Sequence, residues 1–308
     1  MRLRRRRRTP VRRLYEFLIS VVALLFSTSM AQAQITTNTA LPVSKGGGIF
    51  RIQTKVLRSS GDPTEADREL TVLMVPFVIV YGVTSKLAAF GIVPVLDKQI
   101  RFTNGLARTE RSVSGLGDAR VFFRYTVFQK DARGATFRVA PFVGTQIPTG
   151  SRDASDDVGL LPPSLQLGSG SWSPFVGAVL TRQTFAWQID VSVTYQRNNA
   201  VDGFRVGDEA RLDIASKIRL LPRDLGEGLP SFLYANIESN LILREKNEIA
   251  GIRNENSGGL VWYVDPGFQF ISRRVVIETV IQIPLVQQLN GAALENDFIF
   301  VASIRLAF

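Results

Sequence analysis

Neither cysteine nor histidine occurs among the 308 residues. Without cysteine, an oxidising compartment has nothing to staple. The two absences together remove the Ser-His-Asp triad, the Asp-His pair and the cysteine nucleophile. The usual zinc and copper ligands go with them. After residue 33 the chain also lacks any run of about 18 apolar residues, the length at which a membrane helix becomes readable. A phosphate-cradling loop is missing too, because Gly168-Ser-Gly-Ser-Trp-Ser has no third glycine and opens no helix. Acid–base catalysis by paired carboxylates stays chemically open. On the strand face that offers such a pair, however, Arg211 stands between Glu209 and Asp213, with Lys217 nearby. That mixed-sign row reads as an ion-pair ladder. Asp153, Asp156 and Asp157 cluster without the ordered spacing of a calcium hand and read as a solvated loop. No enzyme activity, metal or cofactor is expected.

What is present begins with a leader. Arg2, Arg4 to Arg8, Arg12 and Arg13 precede the apolar Phe17-Leu-Ile-Ser-Val-Val-Ala-Leu-Leu-Phe26, and Ala31-Gln-Ala33 offers a small-x-small cleavage site. This is the layout of a secretory signal peptide, and its apolar part is too short to span a bilayer. Residues 1–33 are expected to be removed. Eight arginines and one glutamate leave with them, so 29 Lys+Arg face 26 Asp+Glu and the net charge falls from +10 to +3. The basic balance is a property of the leader, and nucleic acid is not an expected partner. Residues 34–47, ending in Gly46-Gly-Gly48, read as a flexible lead-in that is too short for a folded plug.

From residue 48 to 308 the chain alternates apolar and polar residues in stretches of about ten, the signature of strands that cross an outer membrane as a barrel. Phe185, Trp187, Ile189, Val191, Val193 and Tyr195 form one wholly apolar face, and Asp190 lies on the other. Hydrocarbon rejects a bare carboxylate, so the Asp190 face is expected to look into the lumen. By the same reading Arg51 and Lys55 point inward from residues 49–58, Arg120 and Arg124 from 118–129, and Arg138 from 136–147. Glu209, Arg211, Asp213 and Lys217 do so from 209–220, Glu238 from 233–241, Asp265 from 260–270 and Glu278 from 275–285. Stretches 70–81, 87–96 and 173–181 are apolar on both faces and read as strands of less clear orientation.

The last strand carries most weight. Phe298, Phe300, Ala302, Ile304, Leu306 and Phe308 share a face opposite Ser303 and Arg305, and the sequence stops on Phe308. A strand with a free edge needs a partner, and closure against the first strand would supply one. A terminal aromatic strand resembles the signal read by barrel-assembly machinery, which makes Phe308 a candidate assembly signal. Twelve strands are expected. Connections alternate between short ones, such as Asp131-Ala-Arg-Gly134, and long ones at 97–117, 148–172, 197–207, 242–258 and 286–296. That alternation places short turns in the periplasm and long loops outside. The fold class is therefore all-β: a transmembrane antiparallel barrel in the outer membrane, in contact with lipid and lipopolysaccharide.

Tyr81-Gly-Val-Thr84, Gly115-Leu-Gly-Asp118 followed by Tyr125, Pro141-Phe-Val-Gly144, Pro148-Thr-Gly150, then Trp187, Asp190, Tyr195 and the Phe308 terminus carry a family resemblance. Over residues 70–308 the chain resembles the outer-membrane transporter family of the phenol meta-cleavage pathway type. The resemblance implies a β-barrel passing small hydrophobic or aromatic compounds, and it brings no defined binding residues. Two function classes follow. One is a channel or facilitator for a small-molecule solute. The other is a non-conducting barrel for structure or adhesion, its lumen closed by ion pairs. Twelve strands enclose more space than the eight whose interior side chains just fill it, which favours the channel.

Overall fold

Polar residues lie inside this molecule and apolar ones outside, the reverse of a soluble sandwich. Ile237 and Phe268 are 61% and 55% exposed, whereas Glu238 and Asp265, on the same two paired strands, are 0% exposed. Only a surface facing hydrocarbon makes that inversion stable. The computed structural model describes residues 36–104, 107–224 and 231–308. The expected signal peptide, residues 1–33, lies outside them, as does most of the Pro222–Pro230 connection.

The strands are β1 (Gly48–Ser59), β2 (Glu69–Gly82), β3 (Leu87–Asn104), β4 (Ala107–Leu116), β5 (Ala119–Tyr125), β6 (Phe128–Ala132) and β7 (Ala135–Ile147). The short pair β8 (Ser155–Asp156) and β9 (Gly159–Leu160) follows in a loop. Next come β10 (Ser173–Thr184), β11 (Trp187–Gln196), the two-residue β12 (Phe204–Arg205), β13 (Glu209–Leu221) and β14 (Phe232–Arg244). After the short β15 (Glu248–Ile249) and β16 (Ile252–Arg253) the chain ends with β17 (Gly259–Ile271), β18 (Val275–Leu289) and β19 (Phe298–Ala307). Fourteen of these form one antiparallel sheet that closes through the pairing of β19 with β1. Segments β4, β5 and β6 are consecutive pieces of one stave, so the barrel has twelve staves. No helix occurs among the described residues. Closure pairs every stave on both sides, which a membrane demands because hydrocarbon offers no hydrogen bonds to a free edge.

Two expectations need correction. Residues 97–117 were expected as a long loop, but β3 runs on to Asn104 and β4 returns from Ala107, paired from Asn104↔Ala107 to Val95↔Leu116. The hairpin extends past the roughly ten residues a tilted strand needs to cross, so its polar outer half projects beyond the membrane. It is tied by Arg101–Glu110 and by Arg108 to Asp67 and Glu69. The second correction concerns residues 34–47. From Thr36 to Val43 the chain is no flexible lead-in: it lies inside the barrel, with Thr37, Thr39, Ala40, Leu41 and Val43 all buried. It enters beside β2, where Gly46 N–H donates to Gly82 O at 2.8 Å and Gly82 N–H to Gly47 O at 3.0 Å.

Candidate functional site: a lumenal chamber

The strap of residues 36–43 is held from three sides. Arg124 on β5 donates to Asn38 Oδ1 at 2.8 Å, to Leu41 O at 2.7 Å and to Thr39 O. On β10, Thr181 Oγ1 accepts from Ala40 N–H at 2.7 Å and donates to Asp190. On β14, Glu238 accepts from the backbone N–H groups of Thr36 and Thr37 at 2.9 and 3.1 Å. The strap thus crosses from the β2–β5 wall to the β14–β17 wall.

Beneath it lies a packed polar layer. Arg305 Nη2 is 2.6 Å from Glu278 Oε1, with both side chains almost fully buried. Glu278 also accepts from Ser303 Oγ at 2.8 Å and Gln269 Nε2 at 2.7 Å. Lys217 Nζ donates to Gln269 Oε1 at 3.1 Å and sits 5.2 Å from the Tyr234 ring centre. Gln188 donates to Asp190 at 2.6 Å, and Gln282 donates to Asp265 at 2.8 Å. Buried charges persist only where paired and fully bonded. The Glu278 carboxylate meets that condition, whereas Gln188 Oε1, Asp265 Oδ1 and the Asn236 amide have no hydrogen-bond partner among the described residues.

Above the strap opens a chamber of about 1460 Å³. Its walls differ. One side carries Phe90, Phe122, Phe142 and Phe175 from β3, β5, β7 and β10. Phe90 and Phe122 stack with centroids 4.1 Å apart, and Phe122 meets Phe142 and Phe175 at 5.9 Å each. Room for this platform comes from two glycines in its path. Gly144 faces Phe122 across the β5–β7 pairing and Gly177 faces Phe142 across β7–β10. A Cβ at Gly177 would collide with the Phe142 ring. The other side carries Arg51, Lys55, Glu209, Arg211, Asp213 and Arg305. Arg211 Nε donates to Asp213 Oδ1 at 2.6 Å, and Glu209 is paired with Arg244.

The outer end is narrowed by the 148–172 loop, which folds inward and contributes Leu161, Gln166 and Leu167 to the lining. Asp118, at the break between β4 and β5, anchors it. Its carboxylate accepts from Gly150 N–H at 3.0 Å, and from Ser169 N–H and Oγ at 2.7 Å each. Further out, Arg111 holds Asp156 through Nε and Nη2 at 2.8 and 2.7 Å. That guanidinium lowers the Asp156 pKa to about 2.

The residues expected in the lumen therefore separate into three sets. Arg51, Lys55, Arg120, Arg124, Glu209, Arg211, Asp213 and Arg305 border the chamber. Asp190, Lys217, Glu238, Asp265 and Glu278 lie in the barrel interior but behind the strap, packed into the polar layer. Arg138 is drawn to the periplasmic rim, where it meets Asp131 at 3.4 Å. The aromatic platform was not anticipated. For Phe90 and Phe175 the signal lies in the stretches that are apolar on both faces, since a strand with no polar face must put apolar groups into the lumen. Phe122 and Phe142 instead share the inward faces of Arg120, Arg124 and Arg138.

Among solved structures the chain is similar to an outer-membrane channel from Pseudomonas putida F1, at 14% identity and a TM-score of 0.65, covering 90% of this chain and all of that one. The porin NanC gives 10% identity and a TM-score of 0.47 over 83% of this chain and 98% of its own. No curated protein matches. The closed barrel, its inverted burial and the fold it shares with the Pseudomonas putida channel make this an outer-membrane protein, set in lipid and lipopolysaccharide. A family model matches residues 59–274, more than half of the sequence, and the chain belongs to the family described as "Putative MetA-pathway of phenol degradation".

Proposed function

We propose that the protein is an outer-membrane channel or facilitator for small solutes, favouring hydrophobic or aromatic ones, and that solute crosses through the chamber. The observation that carries this reading is the chamber itself, about 1460 Å³ and walled by rings on one side and charges on the other. A barrel built only for structure would gain stability by filling that space, because unfilled volume forfeits dispersion contacts. The family and its channel relative support the same reading. A non-enzymatic role fits the carboxylate pair on this wall, since Glu209 and Asp213 are each held by an arginine.

The strap favours a second reading, a barrel whose lumen stays closed, because it and the layer beneath it fill the periplasmic half. Planar-bilayer recording of the refolded protein separates the two. A channel gives discrete steps under salt, and under a salt gradient Lys55→Glu with Arg120→Glu moves the reversal potential toward cations, since fixed charge in a narrow passage sets the local ion balance. A silent bilayer, in wild type and after deletion of residues 36–43, removes the channel reading. Two further parts of the proposal are separately testable. Cleavage after Ala33 predicts Gln34 as the mature N-terminus by peptide sequencing, and the Phe308 strand is the segment offered to the barrel-assembly machinery.

A further inference from the structure

The chamber cations are not equivalent. Arg124 is engaged by the strap, Arg305 by Glu278 and Arg211 by Asp213. Arg51 reaches Ser303 Oγ at 3.3 Å and Glu278 at 3.5 Å. Lys55 and Arg120 stand apart. Neither forms an ion pair among the described residues, and Lys55 makes no hydrogen bond there. Arg120 donates through Nη2 to Gln196 Oε1 at 2.8 Å, while its buried Nε has no partner. Both belong to the same electrostatic neighbourhood: Arg211, Arg51 and Arg120 act on the Lys55 ammonium with Asp213 opposing them, and Glu209 and Arg211 act on Arg120. Positive charge that no carboxylate meets at ion-pair distance is costly in a restricted lumen, and an anion entering there relieves it.

The second half of the argument is the surface beside these charges. The Arg120 guanidinium lies 4.4 Å from the centre of the Phe175 ring, which adjoins Phe122 at 5.9 Å and through it Phe90. A small inorganic anion would satisfy the cations and leave the rings wetted. A neutral arene would cover the rings and leave the cations unanswered. A flat aromatic anion does both, placing its ring edge-on or offset against the platform and its charge toward the ammonium and guanidinium.

We propose that Lys55 and Arg120, with the Phe122 and Phe175 rings, form a subsite for aromatic carboxylates and phenolates within the chamber. It rests on the reading of the chamber as a solute pathway and names the solute class for it.

The test pairs two readouts on the refolded barrel. Calorimetric titration in detergent measures binding of benzoate, cyclohexanecarboxylate, benzyl alcohol and acetate, and planar-bilayer current records block by the same four probes. Benzoate is expected to bind most tightly, with acetate and benzyl alcohol weaker by about tenfold or more. Lys55→Gln and Arg120→Gln should each weaken benzoate by about tenfold. Phe175→Leu should reduce the preference for benzoate over cyclohexanecarboxylate while anion binding remains. Heat-modifiable migration on gels shows which variants are folded, and an unfolded one is replaced by Lys55→Met or Arg120→Lys. Equal affinity for benzoate and acetate, or unchanged benzoate affinity in both charge variants, overturns the subsite. Benzoate binding with a silent bilayer upholds the subsite and sinks the channel reading. Current without benzoate binding does the opposite.

Discussion

Gly48 and Phe308 exchange both backbone hydrogen bonds, Gly48 N–H to Phe308 O at 2.8 Å and Phe308 N–H to Gly48 O at 3.0 Å. The last residue of the chain thus closes the barrel against the first residue of β1. The ring of Phe308 packs on the bare α-carbon of Gly48, where any Cβ would collide with it.

That seam makes two substitutions informative. Removing Phe308 takes away the ring and the final pair of backbone bonds, whereas exchanging it for aspartate replaces the ring with a charge. In both cases outer-membrane yield should drop with chain left to periplasmic proteases. Gly48→Val should produce a similar assembly defect from the other strand by displacing the same ring. Pulse-chase labelling with heat-modifiability on gels measures both. Unchanged assembly of the Phe308 deletion would show that the terminal residue is dispensable as a signal.

The cysteine-free background gives a second test on β11. Ile189, Val193 and Tyr195 are exposed on the lipid side, while Ser192 and Thr194 line the chamber. Single cysteines at Ile189 and Val193 should react with lipid-soluble thiol reagents, and those at Ser192 and Thr194 with small aqueous ones. Gln188 and Asp190, both 0% exposed, lie behind the strap and should resist both until residues 36–43 are deleted. Labelling without a two-residue period would remove β11 from the wall.

These strands were legible because a pleated strand has a period of two and a barrel wall has two unlike solvents. Asp190, Glu238 and Glu278 could be placed inward from sequence because no lipid-facing position tolerates them. The strap was not legible. Thr36-Thr-Asn-Thr-Ala-Leu41 has no periodicity, and its order comes from partners as remote as Arg124 and Glu238 rather than from its own propensity. The outer half of the β3–β4 hairpin was missed for a related reason. Water faces both its sides, so Arg101, Arg108 and Glu110 erase the alternation that marks a strand in a membrane. Phe90 and Phe122 were overlooked because an apolar residue on an inward face contradicts the simple rule of polar inside and apolar outside.

The 148–172 loop should respond to acid in a particular window. Asp156 lies beyond the membrane and its pKa is lowered to about 2 by Arg111. A carboxylate lowered in the folded state contributes above its unfolded pKa, near 3.9, and that contribution fades as the pH falls toward the folded value. The Arg111–Asp156 tether should therefore hold unchanged from pH 7 down to about 4 and weaken only toward pH 2. Asp156→Asn should mimic the acid form at neutral pH, raising single-channel conductance and tryptic cleavage after Arg152. A loop that loosens between pH 7 and 5 in wild type would point to some other group.

Arg124 is the residue on which the strap depends most. Its guanidinium serves Asn38, Thr39 and Leu41 at once, and it lies 4.9 Å from the Phe90 ring centre. Arg124→Met keeps the apolar stem and removes three donors, leaving buried acceptors at a cost of about 1–3 kcal/mol each where water does not replace the arginine. The strap should then detach locally while the wall, paired on both sides of β5, stays closed. Bilayer recordings should show larger and noisier conductance approaching that of the 36–43 deletion, with little loss of heat-modifiable folded barrel. Thr181→Val, which removes the acceptor of Ala40 N–H and the hydroxyl partner of Thr39 on the adjoining wall, should act in the same direction but less strongly, since it breaks two neutral tethers rather than three to a guanidinium. Arg124→Glu would add repulsion from Asp190 and should exceed Arg124→Met in effect. Wild-type current in Arg124→Met, together with a large conductance in the deletion, would mean that Glu238 and Thr181 suffice to hold the strap and that Arg124 is only one of its supports.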